Sequence, residues 1–403
     1  MTKQYFFILG RNPDLSLAEI LTCLQTSKIN YQVIVANQEV FICQSDEIDK
    51  DWFDRLGGSK KYGQIFFQTD KLDFAPVRKF FNDCPKGQKF NFGFSFYNLE
   101  KSALKKAQPI FYRQGLTYKK ELKAEGVRSR MVQTREADLS SVVVHKEKMI
   151  EQGADAVIVQ NNNSYYYGRT LAVQDYDSFS ARDYGKPARD TYSGLLPLKL
   201  ARIMINLAGQ ELDSFILDPS CGSGTVLLEA LAMGYKVMGI DRNQSAIDNT
   251  HNNLIWFQQH YSLEQMPIVK LGRVEDLIPR LDPDSVDAIV TEPYLGPGLR
   301  KNINQQDLQM VRSELEKLYS QSLAQFSKIL KPGGRVVMIW PVFIDSFEQA
   351  NYLKVIVPKN FQRFNVVSKS LPEFDWSTKG RSSYLYSRVN QKVWREILVW
   401  EKK

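Results

Sequence analysis

The sequence predicts a multidomain protein, with smaller α+β units first and a doubly wound α/β domain on a parallel sheet after them. Its 403 residues suggest two or three domains. After about Phe215, strand-like runs alternate with helical segments, and the runs are apolar throughout, as strands buried on both faces are. With 43% hydrophobic and 24% charged residues, the composition is typical of a globular chain and excludes wholesale disorder.

Residues 1–75 predict a small ferredoxin-like domain. The run 4–9 favours a strand, and the helix expected after it has Asp14 and Ser16 as cap candidates. Two apolar runs within 31–44 are typical of a hairpin, and a further strand is expected within 61–70. A strand, a helix and paired strands give an α+β unit of ferredoxin-like size.

Residues 76–175 predict a second unit that binds a polyanion. From Arg78 to Arg135 the chain has 14 Lys and Arg against 4 Asp and Glu, so the rest of it sums to −2. Interleaved aromatic residues favour RNA, and the alternative is a lysine-rich solvated surface. Alternation within 89–98 predicts a half-buried strand, and 141–153 predicts a helix. The candidate RNA-binding residues are Lys105, Lys106, Arg113, Lys119, Lys120, Lys123, Arg128 and Arg130.

A glycine loop, DPSCGSGT at 218–225, lies between the first predicted strand and helix of the α/β domain, where such folds bind ligands. Its glycines let the backbone approach a ligand closely. The acid Asp241 ends the next strand, 23 residues after Asp218, and suits two ribose hydroxyls. Because position 227 is Leu, the third glycine of a dinucleotide fingerprint is missing, and no GxxxxGK[ST] loop occurs.

The acid at the head of this loop indicates the ligand. Asp218 would repel a phosphate but suits the ammonium and sulfonium of S-adenosylmethionine, which we expect as cofactor. A plain tight βα turn is the alternative. Arg242 follows Asp241, and Arg273 or Val274 after Gly272 is the candidate to contact adenine, with Glu275 or Asp276 as substitutes.

The fourth strand of this domain is followed by Thr291-Glu292-Pro293-Tyr294. Enzymes that methylate an exocyclic amine commonly have Asp or Asn, two prolines and an aromatic residue there. Acceptors that take both N–H bonds orient the weakly nucleophilic nitrogen, and the aromatic ring stacks on the base. Glu292, Pro293 and Tyr294 are therefore the candidate catalytic residues. The motif has Glu for Asp or Asn and lacks one proline, so an ordinary turn or a degenerate, inactive site are alternatives.

The last third of the domain is expected to end in an antiparallel hairpin at the sheet edge. The runs at 353–358, 364–370 and 394–400 are strand-like and have no long helices between them.

The four cysteines and three histidines limit other chemistry. The cysteines are scattered without a CxxC pair, which fits the reduced cytosol and argues against a disulfide framework or a cysteine-rich zinc site. We expect no metal, and no segment is apolar for long enough to span a bilayer.

Several segments together resemble THUMP-domain RNA methyltransferases. ARDYGKPARDTYSGLLPLKLARIMINLAG with ILDPSCGSGTVLLEAL is similar to the region up to and including their cofactor loop, and most similar to the tRNA guanine-10 N2-methyltransferase family of archaea and eukaryotes. YFFILGRNPDLSLAEI resembles that family's N-terminal ferredoxin-like domain, GVRSRMV and VQNNNSYYYGRTLAVQD resemble a THUMP domain, and YSRVNQKVWREILV resembles its final strands.

This resemblance implies a class I Rossmann-fold methyltransferase domain, with its linker, at 176–403, after a ferredoxin-like domain (1–75) and a THUMP RNA-binding domain (76–175). The implied reaction is methyl transfer from S-adenosylmethionine to the exocyclic N2 of a guanosine in tRNA, with position 10 as the best guess. The cofactor contacts that the resemblance implies are Pro197, Asp218, Cys221, Gly222, Gly224, Thr225 and Asp241.

The resemblance also implies partners. The THUMP domain would hold the tRNA acceptor end. Eukaryotic members use a small activating subunit and archaeal members act alone, and two N-terminal RNA-binding modules permit a self-sufficient monomer. We expect this protein to act alone in the cytoplasm. The alternatives are a non-catalytic tRNA-binding scaffold, or an amino-methyltransferase acting on another tRNA position, on ribosomal RNA or on an adenine N6.

Overall fold

The computed structural model describes residues 2–83, 89–188, 196–261, 266–277, 280–297, 305–345, 348–371, 381–387 and 391–403. These residues form two compact units. The first comprises residues 1–16 and 29–176, and the second comprises residues 17–28 and 177–403. Within the described ranges, no helix combines the length and the apolar composition that crossing a bilayer requires.

The N-terminal part has the βαββαβ order of a ferredoxin-like domain. Its strands pair antiparallel in the order β2-β3-β1-β4, and a hydrogen bond from Trp52 N to Asp49 Oδ1 begins the second helix. The elements are β1 (Lys3–Leu9), α1 (Pro13–Thr26), β2 (Tyr31–Ala36), β3 (Val40–Ser45), α2 (Lys50–Asp54) and β4 (Ser59–Thr69).

The following residues extend the same sheet. An antiparallel pairing of β4 with β8 gives eight strands in the order β2-β3-β1-β4-β8-β7-β5-β6. The division at residue 75 therefore falls between strands of one sheet, and the domain boundaries stay a prediction. The elements are α3 (Ala75–Asp83), β5 (Lys89–Tyr97), α4 (Lys101–Ala124), β6 (Arg128–Met131), α5 (Ser141–Lys146), β7 (Gly153–Asn161) and β8 (Ser164–Val173).

Two expectations for this part were wrong. Strand β5 is buried on both faces, because its polar side is covered as well: Ser95 Oγ donates to Asp155 Oδ1 at 2.6 Å and accepts from Leu139 N at 3.1 Å. Helix α5 ends at Lys146, well short of 153, because Lys148 adopts φ +51° and the chain turns there to enter β7.

The second unit is built on a nine-stranded sheet. The path β11-β10-β9-β12-β13-β17-β15 is parallel from β11 to β13, and β17 lies antiparallel between β13 and β15. The elements are α6 (Tyr176–Tyr184), α7 (Leu198–Leu207), β9 (Phe215–Asp218), α8 (Thr225–Ala232), β10 (Lys236–Asp241), α9 (Gln244–His260), β11 (Ile268–Leu271), α10 (Val274–Leu277), β12 (Val286–Thr291), α11 (Gln305–Ile329), β13 (Leu330–Ile344), β14 (Ala350–Asn351), β15 (Phe361–Arg363), α12 (Val366–Ser370), β16 (Tyr384–Tyr386) and β17 (Val393–Lys402).

This architecture confirms the predicted doubly wound, Rossmann-type domain. From β9 the chain builds outward to β10 and β11, then returns to place β12 on the other side of β9. The reversal creates a topological switch point between β9 and β12. In open α/β sheets, ligands bind at such a point, outside the carboxyl ends of the strands.

The expected antiparallel strands in the C-terminal part are present, since β17 pairs antiparallel with β13, β15 and β16, but two of the three runs predicted as strands are not strands. Residues 353–358 form no strand, and residues 366–370 form helix α12, where Asn365 Oδ1 accepts from Val367 N at 3.0 Å and from Ser368 N at 3.1 Å. This side-chain cap turns a β-branched run into the first turn of a helix. Strand β17 lies inside the sheet, paired with β13 on one side and with β15 and β16 on the other.

Candidate active site

The two predicted loops meet at the switch point. Strands β9 and β12 are parallel neighbours, so Asp218 and Thr291 lie at adjacent carboxyl ends. The Thr291 hydroxyl donates to Asp218 Oδ1 at 2.8 Å, and both side chains are buried. The head of the glycine loop is thus hydrogen-bonded to the residue that precedes Glu292, and the predicted cofactor and acceptor motifs start side by side.

Left-handed glycines shape the loop after Asp218. Gly222 has φ +54° and Gly224 has φ +80°, a region that favours glycine. A Cβ built on Gly222 would meet nothing within 4 Å, so a ligand can approach the backbone there. Gly224 N donates to Cys221 O at 2.7 Å, which closes the turn into α8.

Two residues of α9 support this loop, and sequence reasoning missed them. The Thr250 hydroxyl donates to Gly222 O at 2.7 Å, and Asn253 Nδ2 donates to Ser223 O at 2.8 Å. Both side chains are buried, and their i, i+3 spacing places them on one helix face. That spacing of polar residues on the core side was the available signal.

Asp241 is a structural part of the same loop. Its Oδ2 accepts from Gly222 N and its Oδ1 from Asn243 N, each at 2.9 Å. A carboxylate offers about four acceptor positions, so about two remain for the ribose hydroxyls that the sequence assigned to Asp241.

Three other residues that were predicted to contact the cofactor are packed or hydrogen-bonded within the protein. Cys221 is 5% exposed, and burial raises the pKa of its thiol well above the usual value, so it packs in the loop and is no nucleophile. Thr225 begins α8 and its Oγ1 accepts from Lys186 Nζ at 3.1 Å. Pro197 precedes α7, which packs against α8.

The predicted residues after β10 and β11 are more exposed. Gly272 N donates to Asp241 O at 2.9 Å, which holds the start of α10 beside the end of β10. Val274 is the first residue of α10, and the Arg273 side chain is 64% exposed, 3.5 Å from Glu275 Oε1. Arg242 has its guanidinium carbon 5.7 Å from the centroid of the Tyr294 ring.

The carboxylates of this site interact with one another. Burial raises the pKa of Asp218 to about 7, hydrogen bonds from Thr291 and Ser220 oppose that shift, and the charges of Asp241 and Glu292 add to it. A cationic ligand would favour the ionised form of Asp218. Together with the open space at Gly222 and the free acceptor positions of Asp241, this fits the predicted sulfonium donor.

The acceptor loop is held by residues far away in sequence. Glu292 Oε1 accepts from Arg395 Nε at 2.5 Å, and the two side chains are 13% and 11% exposed. Burial raises the pKa of Glu292, and Arg395 opposes that shift. The Tyr319 hydroxyl donates to Tyr294 O at 2.8 Å, and Tyr294 itself is 51% exposed. Sequence reasoning missed Arg395 and Tyr319, since no motif connects them to this loop.

The candidate RNA-binding residues lie in the first unit, on α4 and β6, and all eight are exposed. Arg130 Nη1 lies 2.9 Å from Glu147 Oε2, and Arg113 Nε donates to Pro109 O at 3.4 Å. Tyr112 is exposed on the same helix, at 42%. The part of the chain that the structure describes contains no group of three or more His, Cys, Asp or Glu that could hold a metal ion.

Comparisons with known proteins bear on this site. A family model described as DNA methylase matches residues 29–252, which is more than half of the chain, and a model described as RMKL-like, methyltransferase domain, matches residues 188–368. The crystal structure of TrmN from Thermus thermophilus is 16% identical, with a TM-score of 0.54 over 99% of this chain and 100% of that one. At that identity the likeness shows the fold alone.

Curated relatives of this chain are named tRNA (guanine(10)-N2)-dimethyltransferase, among them the following two. The protein from Methanothermobacter thermautotrophicus is 35% identical over 46% of this chain, and the one from Methanocaldococcus jannaschii is 28% identical over 53%. The chain spans about half the length of the curated relatives it matches, 49% and 57% of these two. The chain therefore belongs to the methyltransferase family that the DNA-methylase model describes, and its resemblance to the tRNA (guanine(10)-N2)-dimethyltransferases is confirmed.

Proposed function

We propose that this protein transfers a methyl group from S-adenosylmethionine to the exocyclic N2 of a guanosine in tRNA, with position 10 as the first candidate. The hydrogen bond of 2.8 Å between Thr291 and Asp218 carries the proposal, because it joins the glycine loop to the loop of Glu292 at the switch point, where ligands bind in such folds. The names of the curated relatives support the same reaction.

The glycine loop and its supports hold the donor. Asp241 accepts hydrogen bonds from the ribose, Asp218 faces the positive groups, and the open side of Gly222 admits the ligand. S-adenosylmethionine supplies an activated methyl group. Since its ammonium and sulfonium are cationic, the carboxylates of Asp218 and Asp241 attract it.

The acceptor loop orients the guanine amine. Its lone pair is delocalised into the ring, so the amine reacts when acceptors take its N–H bonds and orient the nitrogen. Glu292 and a backbone carbonyl of the Pro293 turn supply these acceptors, and Tyr294 stacks on the extruded base. Bound S-adenosylmethionine would supply the methyl group, its sulfur–methyl bond breaking as the N–C bond forms, and S-adenosylhomocysteine would be the leaving group. The nitrogen would then carry positive charge and give up a proton, which an ionised Glu292 is suited to accept.

The first unit holds the tRNA. We assign the THUMP module to residues 76–175, after a ferredoxin-like domain at 1–75 and before the catalytic domain at 176–403, and we expect a cytoplasmic monomer. Phosphate contacts by the exposed cations give affinity without sequence information. The target guanosine would then be selected by its distance from the held end of the tRNA.

Methyl transfer to defined transcripts tests this function. The protein is incubated with labelled S-adenosylmethionine and an unmodified tRNA, and the RNA is digested and analysed by mass spectrometry. We expect N2-methylated guanosine. A matched transcript with adenosine at position 10 should receive no methyl group. Label on another nucleoside would contradict the assignment of guanine N2.

A specific observation favours a second candidate, a tRNA-binding scaffold without activity. Arg395 already occupies one oxygen of Glu292, and the motif lacks one proline. In that case the protein binds tRNA and S-adenosylmethionine but transfers no methyl group. The DNA-methylase match ends at residue 252, before the acceptor loop, so it gives no reason to prefer a DNA base.

Salt dependence tests the RNA surface separately. Replacing Lys119, Lys120 and Lys123 by Ala should weaken tRNA binding similarly for all sequences and reduce the log–log salt slope by about 0.7 to 0.9 per lost phosphate contact. Lys50→Ala is the control, because this exposed lysine on α2 is paired with Asp54. An unchanged slope in the triple variant would remove α4 from the RNA interface.

A further inference from the structure

We propose that Arg395 is a positioning residue for the amine acceptor: its guanidinium fixes one oxygen of Glu292 and leaves the other directed to the substrate. This inference rests on the proposed function, which it deepens by assigning a role to a side chain that the acceptor motif does not contain. It is carried by the contact of 2.5 Å between Arg395 Nε and Glu292 Oε1 and by the burial of both groups.

Arg395 compensates for the length of Glu292. A glutamate has one more rotatable bond than the aspartate or asparagine common at this place, and ordering such a side chain costs rotamer entropy. A charge-assisted hydrogen bond to Oε1 fixes the added bond. The amine then meets a single, oriented acceptor, Oε2, together with a backbone carbonyl.

The guanidinium also favours the ionised form of Glu292. Burial raises the pKa of Glu292, and Arg395 opposes this shift by charge and by hydrogen bonding. Among the residues that the structure describes, three titratable groups interact with Glu292: Arg395 from β17, Asp218 at the end of β9 and Tyr319 from α11. The charge of Glu292 raises the pKa of Asp218 and of Tyr319. Arg395 is the cation among these three. A protonated Glu292 would donate where the reaction needs an acceptor.

The register of β17 positions Arg395 beside Glu292. Arg395 pairs with Pro341 of β13 and with Tyr386 of β16. Its neighbour Glu396 points to the other face of the sheet. There Glu396 Oε1 accepts a hydrogen bond from Arg381 Nε at 2.7 Å and another from the Ser383 hydroxyl at 2.6 Å. Ion pairs on both faces fix the register, since a slip by one residue would turn Glu396 toward Glu292.

Two substitutions separate charge from geometry. Arg395→Met removes both the positive charge and the hydrogen bond to Glu292. We therefore expect the acidic limb of the kcat pH profile to shift to higher pH by about one unit or more, with roughly tenfold lower turnover at pH 7. Arg395→Lys keeps the charge and loses the planar fork, so turnover falls while the limb stays close to that of the wild type. The affinity for S-adenosylmethionine should be unchanged in both.

The matched control is Arg335→Met. Arg335 Nε lies 3.1 Å from Glu401 Oε2, so this variant also removes an arginine–glutamate pair between β13 and β17, but away from the acceptor loop. Its pH profile should match that of the wild type. An equal shift in the control would overturn the specific role of Arg395.

A measurement without turnover tests the same contact. The carboxyl carbon of Glu292 is titrated by NMR in the full chain, and its signal is assigned by its disappearance in Glu292→Gln. Arg395→Met should raise the pH at the midpoint of this titration. If Arg395→Met folds poorly, the double variant with Glu292→Gln should recover stability, because it leaves no buried unpaired charge. Absence of methyl transfer by the wild type overturns the proposed function, whereas an unmoved Glu292 midpoint overturns the role of Arg395.

Discussion

The cofactor loop and the acceptor loop lie side by side but are held in place by different parts of the chain. Gly222, Asp241 and Thr250 stabilise one another within about thirty residues of sequence, through bonds of 2.7 to 2.9 Å. Glu292 instead depends on Arg395, 103 residues away. The donor side of the site is therefore a local structure, and the acceptor side depends on the C-terminal part of the sheet.

The largest expected effect is on the donor side. Asp241→Ala removes the acceptor of two backbone N–H groups as well as the predicted ribose contact, so affinity for S-adenosylmethionine should fall below detection. Calorimetry measures this, and tRNA binding should survive. Asp248→Ala is the control, since Asp248 is an exposed acid on α9, the helix that follows Asp241. Cofactor binding by Asp241→Ala would refute the assignment.

Substitutions at Glu292 in the acceptor loop should change turnover but not the affinity for S-adenosylmethionine. Glu292→Ala should lower kcat about 10²-fold or more, with nearly unchanged cofactor affinity. Glu292→Asp is a sharper variant: it supplies the residue common at this place but is too short to keep the contact with Arg395, so we expect lower activity than wild type. Single-turnover assays compare the variants. Activity equal to wild type in both would exclude Glu292 from the mechanism.

Asp218 lies between the cofactor loop and the acceptor loop, and its ionisation should have an intermediate effect on the affinity for S-adenosylmethionine. Because burial raises its pKa to about 7, the free protein loses this negative charge as the pH falls through that value. Affinity for the cationic donor should be about tenfold weaker at pH 6 than at pH 8.

Stability should show the opposite trend with pH. The raised pKa of Asp218 stabilises the folded state at low pH, and this contribution is lost as the pH rises through about 7. Asp218→Asn should remove both dependences. Donor affinity that does not vary with pH in the wild type would count against a contact with Asp218.

The smallest effect tests the loop backbone. Gly224→Ala places a Cβ 3.1 Å from Thr250 Cγ2 at φ +80°, whereas Gly126→Ala has φ +77° and open space around its Cβ. Backbone strain of about 1 kcal/mol is common to both. Thermal unfolding should show the larger loss for Gly224→Ala, and the difference measures the contact with Thr250. Equal losses would mean that Thr250 moves aside without cost.

The cofactor loop was predictable from the sequence, whereas the residues that hold the acceptor loop were not. Strands β9 to β12 and the glycine loop were predictable, because apolar runs, left-handed glycines and a strand-ending acid are local signals. Residues 364–370 were wrongly predicted as a strand, because the β-branched run favours a strand whereas the side-chain cap of Asn365 begins helix α12 there. Arg395 and Tyr319 were not predictable, because their roles arise from the register of β17 and the packing of α11.

The position of β17 between β13 and β15 has a consequence for biosynthesis. A nascent chain that has left the ribosome as far as residue 390 already contains both loops, but the open flank of β13 has no partner and Glu292 has no counter-charge. Unpaired strand edges invite aggregation, and a pairing of distant segments forms slowly. Newly made molecules should therefore remain inactive and dependent on chaperones until this one strand is inserted.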